Sequence, residues 1–351
     1  MVTQAGSEGA NAARMALGLV IGGPIGLTAE LARRAEAAGF ESAWVTELDH
    51  SAFVAAQAAL GATDHLLVGT GVALALPRSP TITALTAWDL DELSGGRFLL
   101  GLGSQVKQVM EGRFSVPFDR PAARMAEYIR AVRSVWAANR GGPVIHEGEF
   151  YRITMPTFHG PPRPERRDVP VLLAAVGPIL ARTAGEVADG LVGHPLASPR
   201  YLAEQVRPSV AEGLHRAGRP SDACPVTATA IVSVGPDADA ARRAARLQLA
   251  FYATTPSYRP ILETHGRGAL QGALRRAFVR RDAGELADLI DDELLDAIAV
   301  AGRPDEARGR LAAWRGVAER LVVGPPWYGL RPGAEAEAMA AVLEATAGGP
   351  G

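Results

Sequence analysis

Eight times along this chain a short apolar run is followed by a stretch of helical spacing, and that pairing restricts the fold more than any other feature. LGLVIGG (17 to 23) precedes TAELARRAEAAGF (28 to 40), where Thr starts and Gly stops a helix. SAWVTE (42 to 47) precedes SAFVAAQAALGA, and LLVGTGVALAL (66 to 76) precedes SPTITALTAWDLDELSGG, opened by Ser-Pro and closed by Gly-Gly. FLLGLGS (98 to 104) is a fourth strand, with RPAARMAEYIRAVRSVWAAN (120 to 139) as a long helix after it. VLLAAVG (171 to 177), GLVGHP (190 to 195), VTATAIVSVG (226 to 235) and RLVVGPP (320 to 326) begin the remaining units. Apolar strands separated by helices imply a parallel sheet covered on both faces, because parallel neighbours need crossover connections. Eight such units predict a closed α/β fold, a (β/α)8 TIM barrel with insertions.

The remaining length predicts the domain layout: a leader over residues 1–14, then one barrel domain over 15–347 with inserted segments near 105–120, 140–168 and 254–300. VIHEGEFYRI (144 to 153) alternates around Glu-Gly like a surface hairpin, which leaves His146, Glu147 and Glu149 exposed. RRAFVRR (275 to 281) and the acidic trio Asp291, Asp292 and Glu293 read as solvated helix faces. Net charge is −2 with both signs interspersed, which argues against the basic footprint of a nucleic-acid or anionic-membrane partner. The leader lacks an apolar signal region, and no apolar run has the length of a membrane span. Cys224 is the only cysteine, so no intrachain disulfide forms. These features predict a soluble, cytoplasmic protein.

A barrel of this class places its active site at the C-terminal ends of its strands. The residues there are Gly22 and Gly23, Glu47, Gly71 and Val72, Ser104 to Lys107, Ala175 to Pro178, His194 and Gly324. Lys107 is the only lysine, against 35 arginines, and a compact ammonium differs at an anion from a planar guanidinium. The turn AAVGP (174 to 178), with proline at the first helical position, is the best candidate for a phosphate cradle. Glu47, an acid ending an apolar strand, needs a partner or a role; a salt bridge to an arginine accounts for it as well as catalysis does. Other chemistries find no support: GLGSQV and GTGVAL lack the third glycine of a dinucleotide fingerprint, there is no Walker loop or serine elbow, and no His or Cys spacing suits a metal.

The segments GFESAWVTE, LLVGTGVALALPRSP, LDELSGGRFLLGLGSQVK, RPAARMAEYIRAVRSVW and VLLAAVGPILARTAGEVADGLVGHP resemble the bacterial luciferase-like superfamily. SGGRFLLGLGSQVK, the His-Pro after the sixth strand and FYATTPSYRPIL (251 to 262) resemble its coenzyme F420-dependent oxidoreductase branch. The resemblance implies a barrel that is usually a homodimer and holds flavin or deazaflavin at the strand ends. It places the family's non-prolyl cis peptide at Gly71-Val72, under the ring. Cofactor contacts would fall on Glu47, Ser104, Gln105, Lys107, the turn of Ala174, Ala175, Val176 and Gly177, and His194. Relatives often carry histidine immediately after the acid; here Leu48 stands there and His50 follows later. The expected reaction is hydride transfer between F420 and a small organic substrate, with Glu47, His50 and His194 as candidate acids or bases. Tyr258 and Arg259, in the third insertion, are the substrate candidates, and no metal is expected. An FMN-dependent monooxygenase and a catalytically silent flavin-binding barrel remain the alternatives.

Overall fold

The computed structural model describes residues 15–141, 143–155, 168–331 and 333–348; the leader 1–14 and residues 142 and 156–167 of the second expected insertion lie outside them. Eight strands form the wall: β1 Ala16–Ile21, β2 Ser42–Val45, β3 Leu67–Thr70, β4 Phe98–Gly103, β5 Val171–Ala175, β6 Gly190–Gly193, β7 Val226–Val234 and β8 Arg320–Gly324. Each pairs in parallel with the next, and β8 closes on β1 with Ala16 opposite Arg320 and Leu19 opposite Val323. The closed (β/α)8 barrel expected from the strand–helix alternation is therefore present. A further strand, Val300–Gly302, pairs with the far end of β7 outside the ring.

Local chemistry sets the helix ends where the sequence marks them. In the helix Pro80–Ser94 the Ser79 hydroxyl accepts from the Thr81 N–H, Pro80 occupies the first turn, and Gly95 at φ 65° ends the helix in a left-handed conformation. Leu17, Leu19 and Ile21 of β1 face outward into the core shared with the helices. The inner face carries a second, smaller cluster of Trp44, Leu172, Val192 and Val322. Trp44 fits inside because its neighbours are glycines: a Cβ on Gly69 would lie 2.6 Å from the indole, and one on Gly18 would lie 3.0 Å from its nitrogen. The Trp44 N–H donates to Ser42 Oγ at 3.0 Å, which satisfies the one polar atom of the ring.

One expectation about the insertions is corrected and another gains detail. The hairpin is Val144–Glu147 paired with Arg152–Met155, but His146 is not exposed on it. Its side chain is 12% exposed, with Nε2 3.6 Å from Glu127 Oε1. Glu127, on the helix Pro121–Asn139, accepts the backbone N–H groups of Glu149, Phe150 and Tyr151, and that anchoring draws His146 down with the turn. The acidic trio is at the surface yet committed: Asp291 caps the helix Asp292–Ile298 and pairs with Arg267, Glu293 also pairs with Arg267, and Asp292 pairs with Arg242. No helix among the described residues is long and apolar enough to cross a membrane.

Candidate active site at the strand ends

Above the Trp44 layer the inner wall alternates glycine with short apolar side chains. Gly71 lies over the indole, Gly103 faces Val72 and Ala174, and Gly324 faces Val20. Glycine at these positions makes room for Trp44, Val72 and Val20, and the side chains of Val72, Ala174 and Val20 form an apolar layer at this end of the barrel.

Val72 reaches that floor through a bulge. β3 pairs with β4 up to Gly69 opposite Leu99, and pairing resumes with Ala73 opposite Leu102, so three residues of one strand face two of the other. Thr70 bridges the gap: its hydroxyl donates to Gly101 O at 2.7 Å and accepts the Gly101 N–H at 2.9 Å. The Gly71-Val72 peptide is cis, as the family resemblance implies. Glu47 fastens the far side of the bulge, accepting the Leu74 N–H at 2.7 Å and pairing with both terminal nitrogens of Arg78. Arg78 also donates to Leu74 O at 2.9 Å. Glu47 thus stands two residues beyond β2 with its charge matched by an arginine, the salt-bridge reading left open in the sequence. Arg78, in the motif LPRSP, is the functional neighbour that sequence reasoning missed.

β4 delivers the other candidates. Ser104 is buried and donates to the carbonyl of Gln105, while Gln105 takes a positive φ of 59° and its own side chain accepts the Val106 N–H. Lys107 then opens the helix Lys107–Arg113, 68% exposed with Nζ 3.8 Å from Glu111, a loose surface pair that leaves the ammonium free to swing. Across the mouth, Gly177 precedes the helix Pro178–Val187, whose first N–H groups have no intrahelical acceptor. The Tyr201 hydroxyl fixes this turn by donating to Val176 O at 2.9 Å. His50 is exposed beyond β2, and Arg259 is turned to Glu263 on its own helix.

His194, at the end of β6, sits in an aromatic enclosure. Its ring lies 4.6 Å from Tyr252 and 4.3 Å from Tyr258, centroid to centroid. Nδ1 accepts the Leu196 N–H at 3.1 Å, so the neutral ring carries its proton on Nε2. Burial pulls the pKa down to about 3. The folded protein binds the His194 proton less readily than the unfolded chain. Stability should therefore be complete above about pH 6.5 and fall as pH drops toward 3, by up to about 1.4 kcal/mol per unit from this group. Urea unfolding of the parent and His194→Phe between pH 7 and 4 tests this; parallel slopes for the two would refute it. Tyr252 and Trp327, which join this enclosure through a 3.0 Å indole-to-phenol hydrogen bond, were not singled out in the sequence as site residues. Their signal is the aromatic pair Trp327-Tyr328, which follows the β8 glycine after Pro325 and Pro326. Among the described residues no cluster of three or more His, Cys, Asp or Glu side chains is arranged to hold a metal.

Comparison with known proteins agrees with this architecture. The sequence matches the luciferase-like monooxygenase family over residues 5–318. It is 41% identical over 307 residues to an uncharacterised protein of Mycobacterium tuberculosis, covering 84% of this chain and 90% of that one. It is 31% identical over 284 residues to the 5,10-methylenetetrahydromethanopterin reductase of Archaeoglobus fulgidus, covering 79% of this chain and 82% of the relative. The coenzyme F420-dependent tetrahydromethanopterin reductase from Methanopyrus kandleri superposes with a TM-score of 0.78 at 27% identity, over 95% of this chain and 98% of that structure.

Proposed function

The chain belongs to the luciferase-like monooxygenase family, and from that premise we propose that it is a coenzyme F420-dependent oxidoreductase transferring a hydride between the deazaflavin and a small organic substrate. The observation that carries this reading is the bulge after β3, pinned by Thr70 on one side and Glu47 on the other, which brings Val72 onto the apolar layer of Val20 and Ala174 as a support for a planar ring. The kinship with F420-dependent reductases supports it. Bound there, F420 supplies the hydride chemistry, and the protein supplies orientation and exclusion of water. Val72 would support the ring, Ser104, Gln105, Lys107 and the turn Ala174 to Gly177 would hold the phosphate and the acidic tail, and His194 would meet the uncharged part of the cofactor. Tyr258 faces the substrate side through its contact with His194.

Three side chains are candidates for proton handling. His194 has the best position: it is neutral, fixed by the Leu196 N–H, and its Nε2 proton is available. His50 is exposed on the turn after Glu47. Glu47 is occupied by Arg78 and Leu74, so its contribution here is to hold the bulge under the ring. The active form is proposed to be a homodimer that covers the exposed Val54 and Ile82, on the adjacent helices Ala52–Gly61 and Pro80–Ser94; a single monomer boundary in sedimentation velocity would count against it.

Titration with F420 and with FMN tests the cofactor assignment. F420 should bind at least tenfold tighter, about 1.4 kcal/mol, and equal or reversed affinities would favour an FMN-dependent monooxygenase. Lys107→Ala should weaken F420 binding by about 1 to 3 kcal/mol, with added salt narrowing the difference and folding scarcely altered. Lys107→Arg separates charge from shape: near-parental affinity means that charge suffices, and a loss means that the compact ammonium matters. Unchanged affinity in Lys107→Ala would remove Lys107 from the cofactor site.

A further inference from the structure

At the end of β6 and on the segment packed against it, the chain holds two proton donors with no acceptor among the described residues. His194 Nε2 carries the ring proton, since Nδ1 is taken by the Leu196 N–H. Tyr258 carries its phenolic proton, and burial pushes its ionisation well above the usual tyrosine range. Neither atom has a hydrogen-bond partner among the described residues, and neither is sealed from solvent. Their rings pack against each other, 4.3 Å apart and tilted by 47°. The Tyr252 hydroxyl, in the same enclosure, is held in place by accepting the Trp327 indole N–H at 3.0 Å.

The surroundings of these donors are flat and uncharged. Tyr252 meets His194 edge-on at 75°, Trp327 meets Phe251 at 5.1 Å and is 42% exposed, and Phe251 stacks on Tyr328 at 4.3 Å and 13°. Gln248, 1% exposed, fixes this wall from behind: its side-chain oxygen accepts the backbone N–H groups of both Trp327 and Tyr328 at 2.8 Å. Two neutral donors match a neutral acceptor with lone pairs. An anion placed here would lose its hydration and gain no cationic partner from the enclosure, which costs more than the two bonds return. Aromatic faces favour a planar apolar body.

We infer that His194 and Tyr258 form a two-donor receptor for the oxygen of an uncharged carbonyl compound bearing a flat, apolar group, such as an aryl ketone. This deepens the oxidoreductase reading, on which it rests, by naming the substrate class and giving Tyr258 the role of a second oxygen ligand.

The test is direct binding, measured by calorimetry on the purified chain both free of cofactor and saturated with oxidised F420. Three probes of one shape separate the terms: 2-acetylnaphthalene offers a neutral carbonyl, 2-naphthoate an anion, and 2-ethylnaphthalene no acceptor. The ketone should bind at least tenfold tighter than the ethyl compound and tighter than the carboxylate. Tyr258→Phe and His194→Phe should each reduce the ketone-to-ethyl ratio at least threefold, and because the ratio is taken within one variant, a general loss of stability cancels. Ketone binding no tighter than that of either analogue, or an unaltered ratio in Tyr258→Phe, overturns the assignment. The cofactor titration is read separately, so failure of F420 binding and failure of carbonyl recognition are distinguishable.

Discussion

Gly101→Ala should destabilise the protein by about 3 kcal/mol or more and abolish tight cofactor binding, the most severe outcome expected of any single added methyl group here. A Cβ at Gly101 would sit 1.9 Å from the carbonyl oxygen of Thr70, and that oxygen belongs to the backbone, so no side-chain rotation relieves the contact. Separation of β3 from β4 is the remaining response. It would break both bonds of the Thr70 hydroxyl to the Gly101 peptide, at 2.7 and 2.9 Å, and displace the bulge that carries Val72. Urea unfolding followed by circular dichroism reads the first effect, and calorimetric titration with F420 reads the second. Gly112→Ala is the control: nothing lies within 4 Å of its Cβ, and in the helix Lys107–Arg113 alanine should be neutral or stabilising by up to about 1 kcal/mol. Equal urea midpoints for Gly101→Ala and the parent would refute the close-approach account.

The barrel was legible in the sequence because its signals are local. Apolar runs, a Thr or Ser-Pro at a helix start and Gly at its end act within a few residues, and each of the eight runs became a wall strand. The strand-end rule then supplied Gly71-Val72, Ser104, Lys107 and His194 without any knowledge of contacts. The partners that define the chemistry are long-range and could not be read this way. Arg78 reaches Glu47 across 31 positions, Trp327 reaches Tyr252 across 75, and Glu127 reaches the hairpin turn from a separate helix. His146 shows the cost: alternation on a hairpin distinguishes two faces, but only the Glu127 anchor decides which of them is covered. Glycine gave a partial signal. Gly69, Gly101 and Gly103 each look like ordinary strand glycines in isolation, and their common reason, the bulk of Trp44, the Thr70 carbonyl and Val72 opposite, exists only in the closed ring.

Arg78→Met should cost about 3 kcal/mol, because it leaves the Glu47 carboxylate, 7% exposed, with only the Leu74 N–H as a partner. The loss comes from an uncompensated buried charge more than from the worth of the pair, and that distinction can be measured. Glu47→Leu combined with Arg78→Met should recover most of the loss, since replacing both members with apolar groups removes the desolvation cost together with the attraction. Glu47→Gln gives a third reading: an amide oxygen can still accept the Leu74 N–H, so its stability cost should be smaller than that of Arg78→Met. The same three variants separate positioning from proton transfer. If Glu47 acts by holding the bulge, F420 affinity should follow stability across the series, with Glu47→Gln least impaired and the double variant partly restored. A proton-transferring Glu47 would instead leave Glu47→Gln able to bind F420 normally while turnover collapsed, and the double variant would stay inactive however stable it became. Denaturation midpoints, F420 dissociation constants and turnover for the three proteins decide between these outcomes, and a fully stable Arg78→Met would dismiss the buried-pair argument at its root.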